Sequence, residues 1–275
     1  MKVGVALPHY GNDVTVDRVV EIAQECERLG FDSVWVSDHI VFDLAKYGGS
    51  DALIGCLDPL TLLAVLARET MSVRLGTMVL CNEFRHPVTL AKQAAAIHLA
   101  SGGRLELGIG AGWYEREFRM AGMTFPPAGV RLAKLEEAVV ILKGLLGGEP
   151  LYFHGTHYHV DDIVVRPSSV ERPTIWVGGK GDRAVALAGR VGDGWNAAWF
   201  QDAGEYAERA THLGTSRVRR SIGQYARGSA QEMVDRLTSF AVDHAVMCFS
   251  EVPFGLDDPS DLTRFAQDVL PYVRG

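Results

Sequence analysis

Residues 31–40 read FDSVWVSDHI. Val34, Trp35 and Val36 make a short apolar run of good β-formers that leads straight into Ser37, Asp38 and His39. Unpaired charge in a protein interior is costly, so an acid and an imidazole ending a buried strand are either satisfied locally or face a pocket. What the strand belongs to decides between the two.

Working outward, the flanking chain alternates strand and helix. Val3–Leu7 (VGVAL) is a strand stopped by Pro8. Thr15 stands as N-cap to a helix whose Val16, Val19, Val20, Ala23 and Cys26 share a face, with Gly30 as the left-handed residue behind it. Residues 40–57 read as a loop broken at Gly48-Gly49-Ser50, and Asp58-Pro59 opens the next helix as N-cap and first turn. Strands are predicted over 73–80 (VRLGTMVL) and 104–110 (RLELGIG), with a helix from His86-Pro87 to about Ala100 between them. A long amphipathic helix over 130–146 places Leu135, Ala138, Val139, Leu142 and Leu145 on one face and ends at Gly147-Gly148. Residues 151–160, LYFHGTHYHV, read as a β-hairpin turning near Gly155 and Thr156. Alternation resumes with strands near 174–177, 194–199, 218–226 and 245–249, and helices near 182–190, 203–213, 229–240 and 258–273.

Eight βα units in 275 residues predict one domain, residues 1–275, folded as an α/β (β/α)8 TIM barrel with a hairpin insertion after strand 4. The rival, a doubly wound open sheet, lacks its glycine fingerprint in the first βα turn, LPHYGND. In a barrel the residues just after each strand line the active face. Asp38 and His39 then point into the mouth.

Net charge is −7, with 47% hydrophobic and 22% charged residues and no long Lys/Arg run. That argues against nucleic acid or anionic membrane as partner. Cys26, Cys56, Cys81 and Cys248 show no C-x-x-C spacing and predict buried thiols in a reducing compartment. MKVGVALP is too short an apolar run for a signal peptide, and no stretch approaches membrane-spanning length. The expectation is a cytoplasmic protein acting on a small-molecule substrate.

Other strand ends supply further candidates: His9 and Tyr10 after strand one, Cys81, Asn82 and Glu83 after three, Gly108–Glu117 after four, and Gly178–Arg183 after five. Gly108, Gly110 and Gly112 alternate, which suits close backbone approach to a ligand or simply a tight turn of small residues. Gly178-Gly179-Lys180-Gly181 leads into a helix with Arg183 in its first turn. Amides at a helix N-terminus attract phosphate, and the two cations add charge; otherwise this is a glycine-rich connection with solvated basic residues. His154, His157 and His159 lie in the hairpin with no convergent carboxylate, so they are expected to be exposed, and no metal is predicted. Neither H-E-x-x-H nor G-x-S-x-G occurs. His39 is the acid/base candidate, since its ordinary pKa lies near neutrality. Asp38 either orients it, pairs with it or binds polar ligand groups; the alternative is a capped turn beside a packed imidazole.

The stretches LGFDSVWVSDHIVF, VRLGTMVL, FRHPVTLAKQ, SGGRLELGIGAGWYEREF and RPTIWVGGKGDRAVALAGRVGDGWN together resemble the bacterial-luciferase-like oxidoreductases, over nearly the whole chain. The Ser-Asp-His ending of strand two is similar to that of the branch using the deazaflavin coenzyme F420. The resemblance implies His39 beside the deazaflavin ring as proton donor or acceptor, with Asp38 on the ring's polar edge. It implies a bulge with a non-proline cis peptide at Met78-Val79, pressing on the ring. It implies that Gly110, Ala111 and Gly112 approach the ribityl chain and phosphate. Val177, Gly178, Gly179, Lys180, Gly181 and Arg183 would hold the phosphate and tail. The family habit implies a homodimer, and a flavin or F420 reductase system as a partner. Two departures stand out: the segment between Trp199 and Ser229 is short, and Trp113 stands where sugar-phosphate-oxidising members carry an acid. A sugar phosphate is thus a poor substrate, and His9, Phe84, Trp113 and Trp199 are the expected substrate walls. The leading reading is an F420-dependent oxidoreductase. An FMN-dependent monooxygenase fed by a partner reductase is the second, and a catalytically idle flavin-binding barrel the third.

Overall fold

A computed structural model describes residues 1–47, 53–200 and 202–274. The predicted break at Gly48-Gly49-Ser50 lies outside the described residues. Eight short strands run parallel: β1 (Lys2–Ala6), β2 (Ser33–Val36), β3 (Arg74–Thr77), β4 (Leu105–Gly110), β5 (Thr174–Gly178), β6 (Gly194–Ala197), β7 (Arg219–Tyr225) and β8 (His244–Cys248). Each pairs with its neighbour in sequence, and β8 pairs back onto β1 through Lys2–His244 and Val5–Met247, which closes the barrel. The long helices pack outside it: α1 (Val16–Arg28), α2 (Pro59–Glu69), α3 (Pro87–Ala100), a short α4 (Glu115–Met120), α5 (Ala128–Leu146), α6 (Asp182–Val191), α7 (Ala203–Ala210), α8 (Ala230–Ser239), α9 (Ser260–Asp268) and α10 (Leu270–Val273).

The helix starts follow their caps. Thr15 accepts from Arg18 N, Asp58 from Thr61 N, and Ser229 forms a reciprocal capping box with Glu232. The buried face of α1 is Val19, Ile22, Ala23 and Cys26, so Val16 turns outward against expectation. In α5 all five predicted core residues are buried, and the helix starts two residues earlier than predicted. The predicted terminal helix is broken in two near Pro271, which lacks an N–H for the ladder. The hairpin Leu151–His154/His159–Ile163 turns at Gly155, whose N–H bonds Tyr158 O. His154 and His159 are exposed, and His154 Nε2 bonds Asp161 Oδ1 at 2.5 Å.

The barrel's lower interior is filled rather than hollow. Trp35 and Trp176 meet inside it edge to face, ring centroids 6.3 Å apart, both fully buried. They fit because the facing strands carry glycine: a Cβ on Gly76 would come within 2.2 Å of Trp35, and one on Gly194 within 2.2 Å of Trp176. Barrel interiors are packed cores, and functional sites open at the mouth at the strand C-termini. Among the described residues no helix is long and apolar enough to cross a membrane.

Candidate active site

A cavity of about 530 Å³ opens at that mouth. Its walls come from the ends of β1 to β6 and from the loop after β8, which adds Pro253 and Phe254. Ser37, Asp38 and His39, the residues that follow β2, all line it.

Asp38 is buried and both its oxygens are engaged. Oδ2 accepts from Cys81 N at 2.9 Å and from Arg85 Nη1 at 2.5 Å, and Oδ1 from Arg85 Nη2 at 3.2 Å. Arg85 also reaches Asp58 Oδ2 at 2.7 Å. Burial pushes the Asp38 carboxyl up from its ordinary value, against the pull of Arg85 and the Cys81 amide. Asp38 thus ties the end of β2 to the loop after β3, and it is not the hydrogen-bond partner of His39.

That partner is Glu117. His39 Nδ1 lies 3.1 Å from Glu117 Oε1 and 3.2 Å from Oε2, while Ile40 N donates to Oε2 at 3.0 Å. Four aromatic rings flank the imidazole at steep angles, the nearest being Phe42 at 5.1 Å, Trp113 at 5.9 Å and Tyr10 at 6.2 Å between centroids. Nε2 makes no hydrogen bond among the described residues, and His39 lines the cavity.

The third strand carries the bulge. Gly76 pairs with Glu106 and Leu80 with Ile109, so four steps on one strand face three on the other. The Met78-Val79 peptide within it is cis. Both residues line the cavity. The neighbouring glycines make room for this kink: a Cβ on Gly108 would meet Thr77 O at 2.0 Å, and on Gly110 or Gly178 a Val79 methyl at 2.9 or 2.7 Å. Part of the glycine spacing in β4 therefore serves Val79. Gly112, at φ 76°, sits against Cys81 Sγ. Burial pushes the thiols of Cys81 and Cys56 up, the latter to about 12, so neither is a nucleophile at neutral pH.

The far wall is cationic. Gly178 to Gly181 and the first turn of α6 meet Ala128, Arg131 and Leu132 at the start of α5, and neither helix has a side-chain N-cap. Arg131 is buried, lies over the Phe125 ring at 3.8 Å, and keeps an Nε without a partner. Lys180 turns its ammonium to Trp199 O at 2.9 Å and over the Phe200 ring, and burial lowers its pKa.

Most predicted residues converge on this one cavity: Asp38, His39, Met78, Val79, Gly110, Ala111, Gly112, Trp113, Gly178, Gly179, Lys180, Gly181 and Trp199. Four do not line it. His9 is fully buried behind Tyr10, with Nδ1 2.9 Å from Leu7 O and Nε2 accepting from Ser37 N at 3.1 Å; burial pulls its pKa down to about 4. Phe84 belongs to a short turn and packs on Phe118, 5.1 Å between centroids. Val177 faces outward into the strand–helix core, because alternate strand residues point to opposite sides. Arg183 is exposed, its guanidinium beside Gly129 at the start of α5. Sequence reasoning reached Glu117 only as the end of the Gly108–Glu117 run and gave it no role, and it missed Arg85 and Arg131 as site residues. The runs that hold the first two, GWYEREF and FRHP, carry the family resemblance, and Arg131 lies in the predicted long helix, yet nothing local says which of these charges turn inward.

Comparison with known proteins agrees with this geometry. Residues 1–239 match the model of the luciferase-like monooxygenase family. An F420-dependent hydroxymycolic acid dehydrogenase of Mycobacterium tuberculosis is 35% identical over 196 residues, which is 71% of this chain and 52% of that relative. The chain therefore spans about half the length of that relative. An F420-dependent glucose-6-phosphate dehydrogenase of Microbacterium testaceum is 29% identical over 263 residues, 90% of this chain and 74% of the relative. Among solved structures, an F420-dependent secondary alcohol dehydrogenase in complex with an F420-acetone adduct superposes with a TM-score of 0.79 at 18% identity, covering 100% of this chain and 99% of that one, which speaks to the fold. The barrel, the bulge at the end of β3 and the family match over most of its length lead to one statement: this chain belongs to the luciferase-like monooxygenase family.

Proposed function

We propose that the chain is an F420-dependent oxidoreductase that moves a hydride between the deazaflavin and an uncharged organic alcohol or carbonyl compound, with His39 handling the coupled proton. One observation carries this: the open ring edge of His39 and a cationic, glycine-lined wall share a single cavity, with the Met78-Val79 bulge also in its lining.

The residues fit such a group. A volume of about 530 Å³ lies within the ~300–1,000 Å³ of ligand pockets. Gly181 faces open space, which suits close approach to its backbone, and the partnerless buried Nε of Arg131 suits an anion. In this proposal Met78 and Val79 flank the ring, Gly110 to Gly112 lie along the ribityl chain, and Gly178 to Gly181 with Arg131 hold the anionic end. Bound deazaflavin supplies a two-electron acceptor or donor. His39 takes the hydroxyl proton when an alcohol is oxidised and returns it in the reverse direction. Asp38 and Arg85 keep the β2 and β3 ends in register. Tyr10, Phe42, Trp113, Trp199 and Phe254 wall the remaining space. Of the two cations lining the cavity, Lys180 is already engaged with Trp199 and Phe200, which supports an apolar or aromatic substrate body over a sugar phosphate. The F420-linked names of the relatives support the cofactor. The resemblance adds a homodimer, a cytoplasmic location and a separate reductase system to the proposal.

Fluorescence titration of the purified protein with F420 and with FMN tests it. Micromolar or tighter F420 binding is expected, followed by loss of deazaflavin fluorescence on adding apolar secondary alcohols. Sub-micromolar FMN binding with none for F420 overturns the proposal in favour of a flavin monooxygenase.

A further inference from the structure

We propose that Glu117 is a positioning residue that fixes the tautomer of His39, so that Nδ1 carries the proton and Nε2 meets the substrate as a base. This rests on the reading of His39 as the proton-handling group, but not on which cofactor is bound.

Glu117 is only 2% exposed, in the first turn of α4. An ionised carboxylate only accepts, and a neutral imidazole has one N–H. Two Glu117 oxygens at 3.1 and 3.2 Å from Nδ1 therefore assign the N–H to Nδ1 and the lone pair to Nε2. The second donor to Glu117 is the Ile40 amide, on the residue after His39, so the carboxylate holds both the ring and the backbone that carries it. Cys56 Sγ donates to His39 O at 2.6 Å and secures the other side of that peptide. The flanking rings of Phe42, Trp113 and Tyr114 oppose a flip that would exchange the two nitrogens. Asp38, adjacent in sequence, is taken up by Arg85 and the Cys81 amide and offers His39 no competing acceptor.

The chemistry follows. The substrate O–H bond breaks and its proton goes to Nε2. The electron pair left on oxygen forms the carbonyl as the carbinol hydride departs to the oxidised deazaflavin, the co-reactant. The resulting imidazolium keeps its Nδ1–H on the Glu117 carboxylate.

Long-range 1H–15N spectra of the ligand-free protein read the tautomer directly, with the His39 signals assigned by their loss in His39→Gln. Wild type is expected to show protonated Nδ1 and bare Nε2. Glu117→Gln offers one acceptor oxygen to two donors and should introduce the Nε2–H tautomer. It should also lower kcat for an alcohol about 10- to 100-fold while F420 affinity stays within about twofold. A merely structural role would lower the melting temperature and leave the tautomer alone. Wild-type spectra showing Nε2–H sink the proposal without any variant; so does an unchanged tautomer in Glu117→Gln. Failure of wild type to bind F420 would instead overturn the cofactor reading and leave the tautomer result standing.

Discussion

At the mouth of this barrel one imidazole faces a carboxylate on one edge and open cavity on the other; at the floor another is almost wholly buried against a hydroxyl. His244 is buried at the start of β8, where it borders a second cavity with Lys2, Trp176 and Arg219; its Nε2 lies 2.7 Å from Ser33 Oγ, which in turn accepts the Trp35 indole N–H at 2.7 Å. Burial pulls its pKa down to about 4. His9, although it follows a strand as His39 does, belongs with the floor: backbone groups satisfy both its nitrogens. The contrast shows that chain position does not make a histidine reactive. One edge must be held by an acceptor while the other is left for a ligand. A histidine satisfied on both edges, as His9 is, or buried against a neutral hydroxyl, as His244 is, stays neutral and contributes to structure.

Replacing the mouth residue should therefore have the largest effect. His39→Ala is expected to lower turnover about 10³-fold, within the range for loss of a general acid or base. F420 affinity should stay within a few-fold, because the cationic wall is untouched. Stopped-flow reduction of the bound cofactor separates the two quantities. A turnover number that survives the substitution would erase the distinction between His39 and His244, and would favour an idle barrel.

The same contrast marks what could be read before the structure. The eight units were legible because short apolar runs alternate with helical ones, and some helices announce their start with a cap such as Thr15 or Asp58. The mouth followed from the rule that strand ends carry function. Which strand-end residues turn into the cavity was not legible. His9 and Tyr10 are adjacent, and only the second lines it. The partner of His39 lies 78 residues away on a helix that periodicity did not reveal, and the arginine holding Asp38 lies 47 residues away. Such pairs are made by barrel closure, which brings successive strand ends together, and no local pattern encodes them.

The floor can be tested by its proton linkage. His9 and His244 have folded values of about 4, against about 6.5 in the unfolded chain. Between those two values the unfolded chain binds more protons, so stability rises with pH and is lost as pH falls from 6.5 toward 4. Each buried ring contributes on the order of 3 kcal/mol across that window. His98 acts in the same sense, and Asp38, raised by burial, in the opposite one. Depressed carboxylates such as Glu27, where hydrogen bonds from Met71 to Val73 outweigh burial and hold it at about 2, begin to lose their contribution near 4.5, at the acid end of the window, and lose most of it below. Urea unfolding from pH 4 to 6.5 should show this slope, and His244→Gln should flatten it by one proton's worth. An unchanged slope would mean that His244 titrates as it does in the unfolded chain, and the floor would no longer differ from the mouth.

The smallest effect is expected where the mouth meets solvent. Trp113 is 52% exposed, sits edge-on to His39 and tilts on Tyr114 at 5.4 Å. At the floor an indole of equal size, Trp176, is fully buried and donates to Glu106 Oε2 at 2.7 Å. Half of the Trp113 side chain is therefore exposed, and an apolar substrate covering about 40 Å² of it would gain roughly 1 kcal/mol at about 25 cal/mol per Å². Trp113→Ala should raise KM for apolar alcohols about three- to tenfold and change kcat little, since the hydrogen bonds of His39 do not involve the indole. Its effect on unfolding free energy should stay near 0.5 kcal/mol, as for most surface positions. A series of alcohols of growing chain length makes the measurement sharper: the KM penalty should grow with apolar area and vanish for the smallest member. A penalty of equal size for every alcohol would mean that Trp113 acts by holding His39 in place, and would make it part of the imidazole's support instead of a substrate wall.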